Sequence, residues 1–230
     1  VKTAIVLQAR MGSTRLPGKV LLPLGGRTLI DQAMARLNLV RADVRVLATD
    51  ESSAARLAPA AERNGFELVV GPAEDVLARY CLAARRSGAD LVLRATGDNP
   101  LVSHELAALL LERRAALSAD YSAQTGIPLG MGTELISAEA LFRAEAEAGL
   151  PDEREHVCPY LYNHPELFRI DRHEAPPEYR ASGLRVTVDT PGDYESVLRV
   201  YGALYDGEPI PSGEVIAWLA STQPGSKERP

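Results

Sequence analysis

Lysine is almost missing from this chain, and cysteine and long apolar runs are scarce too. The 230 residues include 25 lysines and arginines, but the only lysines are Lys2, Lys19 and Lys227. Two of them stand near the chain ends. Lys19 is therefore the one internal lysine in a chain that otherwise uses arginine. A compact ammonium and a guanidinium fork are not interchangeable at a tight site, so Lys19 marks a candidate for such a site. Chance placement is the competing reading. Cys81 and Cys158 are the only cysteines, and neither sits in a paired motif. A disulfide framework is excluded on that count, and a reducing cytoplasm is the expected setting. No apolar run reaches membrane-spanning length, so no membrane partner is expected. The opening stretch Thr3-Ala4-Ile5-Val6-Leu7 reads as a strand and not as a signal peptide. The formal net charge of −6 argues against a broad nucleic-acid footprint while leaving room for a local cationic pocket.

What is present points to a packed α/β protein. Hydrophobic residues make up 46% of the chain, enough for a sizeable core. Short apolar runs at 3–9, 44–48, 66–70 and 89–96 alternate with amphipathic stretches at 28–40, 52–64, 74–87 and 103–117. That alternation predicts βαβ units and a mostly parallel sheet. The second half is less regular. A strand pair is expected within 120–136, helices at 137–148 and 153–163, and strands at 167–172 and 184–188. Pro191 marks the start of a helix running to about 205, and a last helix covers roughly 213–220. The reading is one domain over 1–220, with a polar tail at 221–230 that frays.

Sheets of this kind bind ligands beyond the carboxyl ends of their strands. Beyond the first strand lies Gln8-Ala9-Arg10-Met11-Gly12-Ser13-Thr14-Arg15-Leu16-Pro17-Gly18-Lys19. Gly12 and Gly18 let the backbone turn its N–H groups toward an anion. Arg10, Arg15 and Lys19 add charges suited to a triphosphate. A solvated basic loop is the bland alternative. The loop is not a Walker A motif: five residues separate Gly12 from Gly18, and Val20 follows Lys19. Asp98 and Asp189 form a second constellation, each at or just beyond an apolar run. Two hard oxygen donors with substrate phosphate would suit magnesium. The competing reading is that each caps a helix. Asp50 and Ser53 read as a helix cap, and Asp75 with Arg79 as a surface pair four residues apart. His156 and Cys158 suggest no metal site, because nothing nearby supplies further ligands.

At the level of motifs, Gln8 to Leu21 resembles the signature of the CMP-sugar synthetase family, which includes the CMP-Kdo and acylneuraminate synthetases. The resemblance continues through Leu47-Ala48-Thr49-Asp50, Glu74-Asp75-Val76-Leu77-Ala78-Arg79-Tyr80 and Arg94-Ala95-Thr96-Gly97-Asp98-Asn99-Pro100. It resumes at Glu155-His156-Val157-Cys158-Pro159-Tyr160 and Val188-Asp189-Thr190-Pro191-Gly192-Asp193, and so covers nearly the whole chain in order. It implies the nucleotide-diphospho-sugar transferase fold, a three-layer α/β/α sandwich with a mostly parallel sheet. It implies that an acidic sugar and CTP give a CMP-sugar and pyrophosphate, with Mg2+ as cofactor. Lys19, Arg10 and Arg15 would then hold the triphosphate, wrapped by Met11, Gly12, Ser13 and Thr14. Leu7, Gln8 and Ala9, with Thr96 and Gly97, would lie near the nucleotide base. Asp98 and Asp189 would hold the metal, and Glu134 a sugar hydroxyl. The family often carries Gln where this chain has Thr96, which leaves base choice open. A homodimer is expected, with residues 120–180 supplying an arm. A glycosyltransferase on the same fold and a non-catalytic nucleotide-binding module are the other classes. The first is disfavoured by the missing Asp-x-Asp motif, the second by the complete Lys19, Asp98 and Asp189 set.

Overall fold

The computed structural model describes residues 1–222. In chain order the elements are β1 (Thr3–Gln8), β2 (Pro23–Leu24), β3 (Arg27–Thr28), α1 (Leu29–Leu37), β4 (Val44–Asp50), α2 (Glu51–Asn64), β5 (Glu67–Gly71), α3 (Val76–Ser87) and β6 (Leu91–Thr96). They continue with α4 (His104–Leu117), β7 (Tyr121–Thr125), β8 (Glu134–Ser137), α5 (Ala138–Glu147), α6 (Pro151–His156), α7 (Pro159–Asn163), β9 (Ile170–Glu174), α8 (Pro191–Leu204) and α9 (Ser212–Thr222). Seven strands form one sheet in the order β5-β4-β1-β6-β8-β7-β9, while β2 and β3 make a separate small hairpin. Only β8 runs against its neighbours in the large sheet; the other six strands point the same way. The mostly parallel sheet read from the sequence is the one observed.

Strand alternation assigns the two faces. Ala4, Val6, Val46 and Val92 face Leu77 and Tyr80 of α3 and Leu141 of α5. Ile5, Leu7, Leu47 and Leu93 face Ile30 and Met34 of α1, Leu57 of α2 and Leu110 of α4. These are the two helical layers of an α/β/α sandwich. A third apolar cluster joins α8 and α9 to Leu29, Met131, Val186 and Val188. Gln8 pairs with Thr96 on one side and Ala48 on the other, so the carboxyl ends of the three central strands form a common rim. Short polar side chains start the helices that leave this sheet: Asp50 accepts from the Ser53 amide, Asp75 from Ala78, and Ser103 from Leu106. Gly65 and Gly88 end α2 and α3 in the left-handed conformation.

Three sequence expectations change. The single helix over 153–163 is two helices, α6 and α7, broken at Val157, whose φ is 73°. Pro159 cannot continue the first helix's hydrogen bonding and opens the second. The strand over 184–188 makes one isolated bridge, Arg185 to Leu129, and joins no sheet. It is instead a strap. The Val186 amide bonds the Leu129 carbonyl at 2.8 Å, and the Val188 amide bonds the Asp98 carbonyl at 2.9 Å. The strap passes so close to Gly130 that a Cβ there would meet the Thr187 nitrogen at 2.5 Å. Finally, Ser221 and Thr222 belong to α9, and the remainder of the expected frayed tail lies outside the described residues. Within 120–180, β7, β8 and β9 are strands of the main sheet. Among the described residues, no helix is long and apolar enough to cross a membrane.

Candidate active site

The rim at the end of β1 carries the glycine-rich loop. Gly18, at φ 68°, begins a 3-10 turn over Lys19–Leu21, and its amide bonds back to the Met11 carbonyl at 3.2 Å. A residue with a Cβ is strained at that φ, so glycine sets the path of the loop. The Met11 amide donates to Ser53 Oγ at 2.9 Å, and Ser53 Oγ donates to the Asp50 cap, so the loop is moored to the start of α2. The 3-10 turn then sends Lys19 inward, where it is buried.

Lys19 Nζ donates to Asp98 Oδ2 at 2.9 Å, to Asp189 Oδ1 at 2.9 Å and to the Val188 carbonyl at 2.7 Å. Three acceptors around one small cation match the three donors of an ammonium, and a planar guanidinium has no such arrangement. This is the physical reason for the one internal lysine. Burial pushes the Asp189 carboxyl up, but the Lys19 hydrogen bond and charge, followed by Arg15 and Arg185, bring it below the ordinary carboxylate value. Arg15 Nη2 lies 3.2 Å from Asp189 Oδ1 while most of its side chain faces solvent. Arg185 Nη2 holds Asp189 Oδ2 at 2.5 Å. Neither aspartate is a helix cap. Thr190 caps α8 in a box with Asp193, and Ser103 caps α4. The strap joins the two carboxylate-bearing segments directly, through the Val188 amide and the Asp98 carbonyl.

These groups wall one cleft of about 360 Å³. Gln8, Ala9, Arg10, Gly12, Ser13, Thr14, Arg15, Lys19, Thr96, Gly97, Asp98 and Asp189 all line it. Gly97 is where the floor pinches: its amide bonds Gln8 O at 2.7 Å, and a Cβ would meet that of Ala9 at 2.8 Å. Three other candidates sit elsewhere. Leu7 is wholly buried in β1, on the face toward α1 and α2, and does not line the cleft. Met11 packs toward the core under α1 and α2. Glu134 does not line the cleft; its Oε2 takes Arg94 Nη1 and its Oε1 takes the Tyr121 hydroxyl at 2.6 Å. Thr96 lines the cleft and has contacts of its own. Its hydroxyl donates to Asp98 Oδ1 at 2.7 Å and accepts from Asn99 Nδ2 at 2.8 Å, so it orients the aspartate.

The sequence reading missed Arg94, Val76, Glu155 and His156, which also line the cleft. Arg94 was visible as a charged residue inside the apolar run Leu91-Val92-Leu93. Burial works against its charge, and Glu134 outweighs that, raising the guanidinium above its ordinary value. Glu155 and His156 belong to a motif of the sequence, but the folding of α6 over the rim is not legible in a short helix. Arg79 is no surface residue: it is fully buried and bonds the Pro72 carbonyl at 2.9 Å.

A basic loop after the first strand of a mostly parallel sheet, facing one carboxylate just beyond a strand and one at the end of the strap across a cleft, is the arrangement of an enzyme that handles nucleoside phosphates. Residues 4–210 match the model of the family described as cytidylyltransferase. The chain belongs to that family and is a nucleotidyltransferase. It is 33% identical over 97% of its length to the spore coat polysaccharide biosynthesis protein SpsF of Bacillus subtilis, covering 96% of that protein. A solved cytidylyltransferase structure from Leptospira borgpetersenii superposes with a TM-score of 0.89 at 30% identity, covering 96% of this chain and 94% of that one. CMP:2-keto-3-deoxy-manno-octonic acid synthetase, solved in complex with CTP, shares the fold at a TM-score of 0.68 and 19% identity, covering 88% of this chain and 99% of that one.

Proposed function

We propose that this enzyme joins CMP from CTP to a hydroxyl of an acidic sugar, releasing pyrophosphate, to supply a donor for polysaccharide or surface-glycan synthesis. The observation that carries the reading is the convergence of Lys19, Asp98 and Asp189 at the mouth of the glycine-rich loop. Lys19, Arg10 and Arg15 bind the triphosphate, and the Gly12–Thr14 backbone wraps it. The attacking oxygen belongs to the sugar, so no covalent enzyme intermediate is needed. The protein's part is to position the reactants and offset the charge that builds on the transferring phosphate.

The donor set suits a hard divalent ion. Two carboxylate oxygens, both hard donors, already converge on one cationic centre, the Lys19 ammonium. Among the described residues no group of three or more metal-type side chains occurs, so substrate phosphate and water must complete the shell. Asp98 and Asp189 would hold Mg2+, which would polarise the α-phosphate and the sugar hydroxyl. Thr96 and Arg185 keep the two carboxylates aimed, and the strap fixes their separation.

The test is pyrophosphate release from each of four nucleoside triphosphates against a panel of acidic and neutral sugars. CTP with an acidic sugar is expected to give the product. No pyrophosphate from any of the four nucleotides, or release of a nucleoside diphosphate from a nucleotide-sugar donor in its place, would remove the assignment.

A further inference from the structure

Arg94 is the cation of the cleft that the triphosphate reading leaves unused. It lies on β6 two residues before Thr96, on the sheet face covered by α3 and away from the loop that carries Arg10, Arg15 and Lys19. It lines the cleft with 18% of its side chain exposed. Its position is held from two sides. Nη1 is bound by Glu134, whose other oxygen is held by the Tyr121 hydroxyl at 2.6 Å. The guanidinium carbon sits 5.7 Å from the centre of the Tyr80 ring. A guanidinium fixed in this way has lost its rotamer freedom before any ligand arrives.

The other edge of the same guanidinium has no partner. Nε is buried without an acceptor, and no acceptor among the described residues takes Nη2. Nε and Nη2 form the edge that receives a carboxylate through two parallel bonds. This protein uses that edge repeatedly. Arg113 binds Asp171 through Nε at 2.9 Å and Nη2 at 3.0 Å. Arg169 binds Asp120 through Nε at 3.1 Å and Nη2 at 2.9 Å. Arg154 turns the same two atoms on a single oxygen of Asp75, Oδ2. Of these four arginines, Arg94 alone lines the candidate active-site cleft, and its edge alone has no acceptor. A buried donor without an acceptor is a standing cost that a bound ligand can remove.

We propose that Arg94 is the specificity-determining residue for the sugar, receiving the sugar's carboxylate on its Nε and Nη2 edge, with Glu134 and Tyr121 as positioning residues. The proposal deepens the reading above and rests on it. A donor-only, charged fork fits the two oxygens of a carboxylate best; the O2 and N3 acceptors of cytosine are the competing ligand, and the KM for CTP tells the two apart. It also gives Glu134 a different part from the one its sequence position suggests: it holds the receptor and does not touch the sugar.

The test uses the full enzyme with CTP, 3-deoxy-manno-octulosonate and N-acetylneuraminate as acidic probes, and each probe with its carboxylate reduced to an alcohol. Arg94→Gln is expected to raise KM for the acidic sugar by roughly 10²-fold, the range for lost hydrogen bonds to a charged group, with KM for CTP unchanged. Arg94→Lys, which keeps charge without the fork, should recover only part of the loss. The reduced probes should be poor for the wild type and no worse for the variant. Because Arg94→Gln leaves Glu134 buried and unpaired, Arg94→Gln/Glu134→Gln is measured beside it, and CTP binding by calorimetry reports an intact fold. Tyr121→Phe should raise the sugar KM with kcat unchanged. An unchanged sugar KM, an equal rise for CTP, or a wild type that takes reduced and acidic probes alike overturns the proposal. So does an enzyme that binds CTP but neither acid. Failure to bind CTP at all would instead sink the cytidylyltransfer reading itself.

Discussion

Lys19 and its two aspartates set the residue-scale expectations. Lys19→Ala should lower turnover by roughly 10²–10³-fold, the scale for removing a preorganised charge stabiliser. Lys19→Arg should also be impaired, because the three acceptors around Nζ suit an ammonium. Steady-state rates with a verified substrate check both, and near-normal activity in Lys19→Ala would sink the loop assignment. Asp189→Asn separates two readings. A cap would tolerate Asn and stay active; because Thr190 and not Asp189 caps α8, the variant should fold and still bind nucleotide but lose its activity. Asp193 gives a pH expectation. Burial raises its carboxyl, but the bonds from Arg185, Thr190 and the neighbouring amides pull it down to about 2. A folded value below the unfolded one means its stabilisation is complete above about pH 4 and is lost as pH falls through about 2. The stability gap between wild type and Asp193→Asn should therefore close over that window in acid titration. A gap that persists below it would contradict the assignment.

At the scale of elements, the strap over 184–188 is the most exacting piece. It carries Asp189 to Lys19, and Gly130 is what lets it pass. Gly130→Ala combines a φ of 99° with a backbone clash, so it should cost roughly 1–3 kcal/mol or more and depress activity together with stability. Thermal denaturation and turnover check it; an unchanged variant would mean the strap is free to shift. This is also where sequence reading ran out. The βαβ half was legible because apolar runs and helical stretches alternate with Asp and Ser caps between them. The loop after β1 was legible because three cations and two glycines cluster within a dozen residues. The strap was not: Leu184-Arg185-Val186-Thr187-Val188 has strand alternation, and only the tertiary position of Gly130 decides that it pairs with a loop. The break at Val157 was hidden for a similar reason. A β-branched residue rarely takes positive φ, so no propensity announces it. Glu134 was found but its partner Arg94 was not, because a cross-strand pair between β6 and β8 depends on a register that the sequence leaves open.

For the whole molecule, assembly is the open expectation. We expect a homodimer with residues 120–180 contributing contact. β9 ends the sheet with one side unpaired, and an edge strand left open is a ready pairing surface. Nearby, Leu109 and Leu117 of α4 stand exposed. Sedimentation or light scattering at micromolar concentration checks this, and a monomer would reject it.

The ammonium of Lys19, lodged between Asp98 and Asp189, also makes the resting enzyme an interlock. Both carboxylates are already neutralised by a cation on the protein's own tether. A free divalent ion would have to evict it without help, so metal alone should bind poorly. An incoming triphosphate offers Lys19 a competing anion and supplies oxygens for the ion, so the two should load together. Magnesium titration by calorimetry is expected to show little heat with empty protein and clear binding with CTP present. Equal binding in both would mean that no such latch exists. The order of loading would then follow from where one tethered charge rests, with no moving domain required.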